Sequence, residues 1–275
     1  MVPLTISDLQ QTAKLIRRKT IEAIYHAGSG HPGGSLSSVD ILVALYFGGV
    51  INFDKKDQKS EKRDRFILSC GHVSPSYYVT LACLGFFNED LLLSLRDLGS
   101  ILQGHPSSQQ ADFVESSTGS LGQGLSVGLG MAISLKLKGH NNKTKVVVLC
   151  SDGEQNEGSH WEAVASASFK KLGNLCLIID KNAMQIGGKT KEVLNMDLLS
   201  TKYKSFGWEV YEADGHDFRS LLSVFSRFNE GKDKPKVVVC KTIRGKGVSF
   251  MENSPKYHSA VLGEEEYQKA MEELN

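Results

Sequence analysis

The chain has 275 residues, enough for one large domain or two small ones, and its 40% hydrophobic content can fill a sizeable core. A net charge of +1 gives no electrostatic footing for nucleic acid or an anionic membrane surface. No apolar run reaches the roughly 18 residues of a membrane span, and residues 1–10 lack the basic-then-apolar layout of an export signal.

Five scattered cysteines without a CxxC pair argue against a zinc site or a disulfide framework. Cys83, Cys150, Cys176 and Cys240 stand in apolar surroundings, so the set reads as reduced thiols of a cytoplasmic protein. A first helix is expected over 7–27, where Leu9, Ala13, Ile16 and Ile24 keep a helical stripe. Residues 28–34 pack Gly28, Gly30, Gly33, Gly34, His31 and Pro32 together, which predicts an exposed, non-helical loop. From there His31 either reaches a ligand or simply meets water. Ser37 and Asp40 have the spacing of a capping box, so the next helix is expected to begin there and end at Gly48.

A short strand over 65–69 leads to Gly71-His72 and a helix from about Ser76, and a third pair follows at Gly104-His105. Three histidines in one kind of Gly-His context are too dispersed for a local zinc motif. They suit hydrogen bonding around an anionic or polyhydroxylated ligand. His26, His140 and His160 lack that context and read as structural or surface residues. Beyond Ser120 a helix is expected to about Lys138, with Gly128 and Gly130 explained by close packing. Packing explains the Gly119-Ser120-Leu121 corner less well.

The most informative stretch is 145–189. An apolar strand over 146–150 runs into the acidic loop 151–158, a helix over 159–172, and a second apolar strand over 175–179. That strand ends at Asp180-Lys181-Asn182, ahead of a Gly187-Gly188 turn. Strand, helix and strand without a hairpin signal make a βαβ unit, whose ligands sit beyond the carboxyl ends of its strands. If the two strands are neighbours, Asp152 and Asn182 converge. Their hard oxygens suit magnesium or calcium, and two are too few for a closed cage, which points to a phosphate-bearing cofactor as the remaining ligand. Gly153 and Gly158 would let backbone approach that phosphate. The alternative is an ordinary Asp-Gly turn and a polar strand end. Further on, a helix over 196–206, a strand over 208–213, a helix ending near Asn229, a strand over 236–241 and a final helix over 264–274 are expected. The loop 242–257, with Gly245 and Gly247, leads to His258. The alternation predicts a single α/β domain over 1–275, a doubly wound, mainly parallel sheet with helices on both faces.

Asp-Gly at 152–153 and Asn182 resemble the thiamine diphosphate signature of the transketolase superfamily. The segments SGHPGGSLSSVDILVALYF, DRFILSCGH, GHPSS, TGSLGQGLSVGLGMA and KTIRGKGVSFMEN resemble its N-terminal, diphosphate-binding domain in family order. The resemblance implies thiamine diphosphate as cofactor, with magnesium (calcium or manganese in its place) held by Asp152, Asn182 and the Met184 carbonyl. It implies catalytic or substrate-facing roles for His31, His105, His258 and Glu157, and a diphosphate contact from His72. Gly119 and Leu121 would meet the aminopyrimidine, while Gly153, Glu157, Ile186 and His258 complete the cofactor contacts. Glu157 and Glu162 would join a proton network at a subunit interface. Ser151 and Lys181 replace a Gly and an Asn of the motif, Ser120 replaces a frequent Pro, and Tyr257-His258-Ser259 replaces Trp-His-Gly.

The implied activity is transfer of a two-carbon ketol unit from a ketose to an aldose, the sugars phosphorylated or otherwise modified. The aminopyrimidine needs a carboxylate that the family supplies from a second domain. The chain is therefore expected to be the N-terminal subunit of a split transketolase. A separate C-terminal, pyrimidine-binding subunit would carry that Glu, with two copies of each in the assembly. The rival readings are deoxyxylulose phosphate synthase, a catalytically silent paralogue that binds a partner, and one chain of a 2-oxo acid dehydrogenase.

Overall fold

The computed structural model describes residues 2–140, 143–231 and 233–275. Helix α1 (Ile6–His26) is capped by Thr5, whose hydroxyl oxygen accepts the Asp8 N–H at 3.2 Å. Helix α2 (Pro32–Tyr46), strand β1 (Arg65–Leu68), α3 (Ser74–Cys83) and α4 (Gly124–Leu137) follow. The central unit is β2 (Val146–Ser151), α5 (Gly158–Phe169) and β3 (Leu175–Lys181), then a two-strand ribbon of β4 (Met184–Gln185) and β5 (Gly188–Lys189). Short helices α6 (Thr190–Val193) and α7 (Leu199–Ser205) lead to β6 (Glu209–Asp214), α8 (Phe218–Phe225), β7 (Lys236–Lys241) and α9 (Glu264–Glu273).

Five strands form one parallel sheet in the order β1-β2-β3-β7-β6. Its apolar runs are unbroken because both faces are covered. Val147, Leu149, Cys176, Ile178 and Val238 turn towards α1, α2, α3 and α8, while Val146, Val148, Leu175, Leu177 and Val237 turn towards α4, α5 and α7. The expected doubly wound architecture is thus present. Among the described residues no helix is long and apolar enough to cross a membrane. All five cysteines are free; Cys70 is buried and Cys83 only half-buried.

Four local expectations are corrected. Residues 32–34 are not an exposed loop but the buried first turn of α2, because Pro at the first helical position is preorganised for a helix start. Ser37 and Asp40 are therefore interior to α2 and cap nothing. Ser37 donates to Asp180 at 2.6 Å, and Asp40 pairs with Arg17 and His216. Helix α4 begins at Gly124, after a turn, rather than beyond Ser120. A Cβ at Gly128 would stand 2.7 Å from Val148, so packing does explain that glycine, but Gly130 faces open space.

His160 is fully buried, and its Nε2–H donates to Tyr203 at 2.5 Å. Tyr203 donates in turn to Gln155 at 2.6 Å, which donates to the Ser151 carbonyl at 3.0 Å beside the acidic loop. Burial lowers His160 from 6.5 to about 4, so it is neutral in the fold. Its contribution is whole above 6.5 and is lost as pH falls towards 4, on the order of 3 kcal/mol. Acid titration of stability, read by Trp161 fluorescence, should fall across that window, and the fall should shrink in His160→Phe.

Candidate active site

The site lies beyond the carboxyl ends of β2, β3 and β7, where the backbone leaves the sheet and strand-end side chains meet. Ser151 pairs with Asp180 and Lys181 with Lys241, so all three strands end level with one another. Asp152 is 3% exposed, and its two oxygens accept N–H groups from Gly153 at 2.9 Å and Ala183 at 2.7 Å. Asn182 Oδ1 accepts the Met184 N–H at 3.1 Å, and Ala183 between them sits at φ 61°, a left-handed conformation that folds the chain back.

Burial, with Asp180 adding to it, raises the Asp152 carboxyl to about 7 against the opposing pull of the two N–H groups and Arg244. Asp180 is itself raised by burial, opposed by hydrogen bonds from Ser37 and Thr242. Two buried carboxyls held this way favour a cation. Asp152, Asn182 and neighbouring carbonyls offer only oxygen donors. Among the described residues no three His, Cys, Asp or Glu side chains converge as a closed metal cage. The donor chemistry therefore fits magnesium completed by a phosphate group. Unpartnered buried atoms, His31 Nδ1 and Asn156 Oδ1, belong to residues of the adjoining wall and fit a polar ligand there.

That wall bounds a cleft of about 410 Å³. His31, His72, His105, Gly119, Leu121, Gly153, Glu157, Asn182, Met184, Ile186 and His258 all line it, and Asp152 is buried directly behind Gly153. Sequence separations of up to 227 residues (31 to 258) are thus closed into one site. His31 stands at its centre, with ring centroids 5.3 Å from His72, 6.1 Å from His105 and 5.5 Å from His258. Burial, reinforced by its neighbouring histidines and by Arg96 and Arg244, lowers His31 to about 4. Burial and Arg244 likewise lower His258 to about 4, while His72 falls well below the usual value for the same first reason. Burial and Arg96 lower His105. These rings are neutral at pH 7, each with one donor and one acceptor nitrogen.

Gly119 has φ 139°, and a Cβ there would stand 2.9 Å from the His105 ring, so only glycine lets the corner approach that histidine. Ile186 is 76% exposed at the tip of the β4–β5 ribbon. Glu157 is exposed at the cleft rim, and Glu162 is exposed on α5.

Three further groups carry the site without having stood out in the sequence. Arg244, 2% exposed, faces Asp152 and Asp180 and donates to His258 Nδ1. Glu154, fully buried beneath the acidic loop, accepts from Ser69, from the Gly122 N–H at 2.8 Å and from the Ser151 N–H at 3.3 Å. His216 accepts the Ile243 N–H on Nε2 at 2.8 Å and donates from Nδ1 to Asp40 at 2.7 Å. Burial works to raise Asp40, and the contacts to His216 and Arg17 outweigh it and leave the carboxyl below its usual value. The strand-end rule could have found Arg244, which follows β7 by three residues (241 to 244). Nothing local marks the other two.

Residues 9–275 match the family model described as "Transketolase, thiamine diphosphate binding domain". The chain is 42% identical to one of the subunits of apulose-4-phosphate transketolase from Actinobacillus succinogenes, covering 98% of this chain and 97% of that one. It is 38% identical to the 6-deoxy-6-sulfo-D-fructose transketolase subunit SqwG of a Clostridium species, covering 97% and 96%. The crystal structure of transketolase from Campylobacter jejuni superposes with a TM-score of 0.90 at 32% identity, over 98% of this chain but only 43% of that longer one. By sequence and by fold, the chain belongs to the transketolase family, and its described sheet and cleft are that family's thiamine diphosphate binding domain.

Proposed function

We propose that this chain is the cofactor-binding subunit of a two-subunit transketolase, moving a two-carbon ketol unit from a ketose to an aldose. The observation that carries the reading is the convergence of Asp152 and Asn182 at adjacent strand ends beneath a cleft walled by His31, His72, His105 and His258. Correspondence over nearly the whole length of relatives named as subunits supports the two-subunit form. The names of those relatives specify sugars bearing a phosphate or a sulfo group, and this chain is assigned a sugar of the same anionic class. The partner supplies the pyrimidine-side Glu, and two copies of each chain come together about a two-fold axis.

When bound, thiamine diphosphate supplies the carbon centre that stores an electron pair between donor cleavage and acceptor addition. The protein's part is to bind and orient. Asp152, Asn182 and the Met184 carbonyl hold the magnesium, which calcium or manganese can replace. His72, half-buried beside Gly34, takes the diphosphate side. Gly119 and Leu121 face the aminopyrimidine, and Ile186 covers the cofactor from the ribbon. His31, His105 and His258, held neutral by desolvation and by the positive charge of Arg96 and Arg244 nearby, donate to sugar hydroxyls and carry protons between them. Glu157, at the rim, continues that proton path towards the partner.

Calorimetry of the purified chain with thiamine diphosphate and magnesium tests the reading, and absence of metal-dependent heat would end it. The histidines should separate by step. His72→Ala should weaken cofactor affinity by about 10-fold, the value of a lost charge-assisted contact. His105→Ala should leave that affinity intact and raise the Michaelis constant or slow turnover of the reconstituted enzyme. Equal loss of cofactor affinity in both variants would overturn the division of roles.

A further inference from the structure

Glu154 has no exposed surface, and among the described residues no cationic side chain pairs with it. A hydrocarbon of the same shape would cost less to bury there than a carboxylate without a counter-ion. What the carboxylate holds is three segments of chain. Its Oε1 accepts the Ser69 hydroxyl, just after β1, and the Gly122 N–H at 2.8 Å, while its Oε2 accepts the Ser151 N–H at 3.3 Å. These partners lie 85, 32 and 3 positions away. Gly122 is also gripped from its other side, where its carbonyl accepts the Ser159 hydroxyl at 3.1 Å. It sits at φ 81°, and a Cβ on it would collide with the Glu157 side chain, so the corner 118–122 is pressed directly against the acidic loop. At its far end the same corner is tied to β1, because Thr118 donates to the Leu68 carbonyl at 2.7 Å.

We propose that Glu154 is a positioning residue that fixes the distance between the two halves of the cofactor site, with Ser159 as its second point of attachment. One half is the corner carrying Gly119 and Leu121, the other the strand end carrying Asp152, and the role rests on their assignment above to the aminopyrimidine and the metal. Glu154 does not line the cleft, being buried beneath the loop, so it acts through the backbone of Gly122 and Ser151. The metal end has its own local ties, since the Gly153 and Ala183 N–H groups hold Asp152 without Glu154. A cofactor that spans both halves reaches its full affinity only if their spacing is set before it arrives. A ligand confined to the metal end is indifferent to that spacing.

The test compares two ligands on the full chain with magnesium, by calorimetry: thiamine diphosphate, which spans both halves, and inorganic diphosphate, which occupies only the metal end. The wild-type chain should bind thiamine diphosphate the more tightly. Glu154→Gln keeps the shape of the side chain, but one amide oxygen can serve Gly122 or Ser151 and not both, so the bridge opens. It should weaken thiamine diphosphate binding about 10-fold and leave inorganic diphosphate within about twofold. Ser159→Ala, which leaves the buried carboxylate in place, should lower the same ratio by a smaller factor, and the double variant should lower it further than either. Equal loss of both ligands in Glu154→Gln would overturn the proposal, because a general disturbance of the site would produce it. So would an unchanged ratio in that variant, or equal binding of the two ligands by the wild-type chain. Should Glu154→Gln fail to fold, Ser159→Ala decides alone: a lowered ratio supports the bridge and an unchanged one overturns it. Failure of the wild-type chain to bind thiamine diphosphate at all would instead refute the cofactor reading.

Discussion

Asp152→Ala is expected to abolish thiamine diphosphate binding at micromolar concentration, a loss of about 1,000-fold or more, equivalent to about 4 kcal/mol. The substitution removes the charged member of an oxygen donor set that has few members to spare. It also releases the Gly153 and Ala183 N–H groups that the carboxylate now holds. Asp152→Asn separates the two effects, because an amide oxygen still accepts one N–H but carries no charge. It should retain the far-ultraviolet and near-ultraviolet spectra of the parent and still lose most of the affinity. EDTA should have the same effect on the unaltered chain. Cofactor affinity unchanged by EDTA would show that no metal is involved.

The second large effect concerns assembly. The purified chain should bind cofactor yet give no ketol transfer, and turnover should appear on adding the pyrimidine-binding subunit. The activation step of thiamine chemistry needs a carboxylate against the aminopyrimidine. Among the described residues Glu157 is the only carboxylate lining the cleft, and it lies exposed at the rim. Removing a general acid–base group costs about 100-fold to 10,000-fold in rate, so the isolated chain should fall at least that far below the mixture. Light scattering of the active mixture should give two copies of each subunit. Full turnover by the purified chain alone would refute the two-subunit proposal.

Legibility in the sequence followed the range of the interactions concerned. Strand β7 was readable to the residue, because Pro235 and the apolar run from Lys236 to Lys241 are local signals. The pairing of Asp152 with Asn182 needed only the inference that two apolar strands joined by a helix lie parallel and adjacent. The glycines of 28–34 mislead because their composition signals a loop while the position of Pro32 signals a helix start, and the turn it starts is buried. Ser37 and Asp40 have cap spacing, yet their partners are Asp180, Arg17 and His216, 143, 23 and 176 positions away. No local pattern distinguishes a cap from a core contact in that case. Arg244, Glu154 and His216 were hidden for the same reason.

The bonds of His216 have a mechanical consequence. Since Nε2 accepts from Ile243 and Nδ1 donates to Asp40, the imidazole is committed to one tautomer and ties the chain after β7 to α2. Thr242 is tied beside it through Asp180 to Ser37 of the same helix. The segment that carries Arg244 is therefore stitched at two successive residues to the body of the domain, and it cannot swing as a lid. The opposite wall is the β4–β5 ribbon, whose tip residue Ile186 is largely exposed. The wall that carries Arg244 is thus already ordered in the free chain, so a ligand gauged against it costs the protein little conformational freedom on binding.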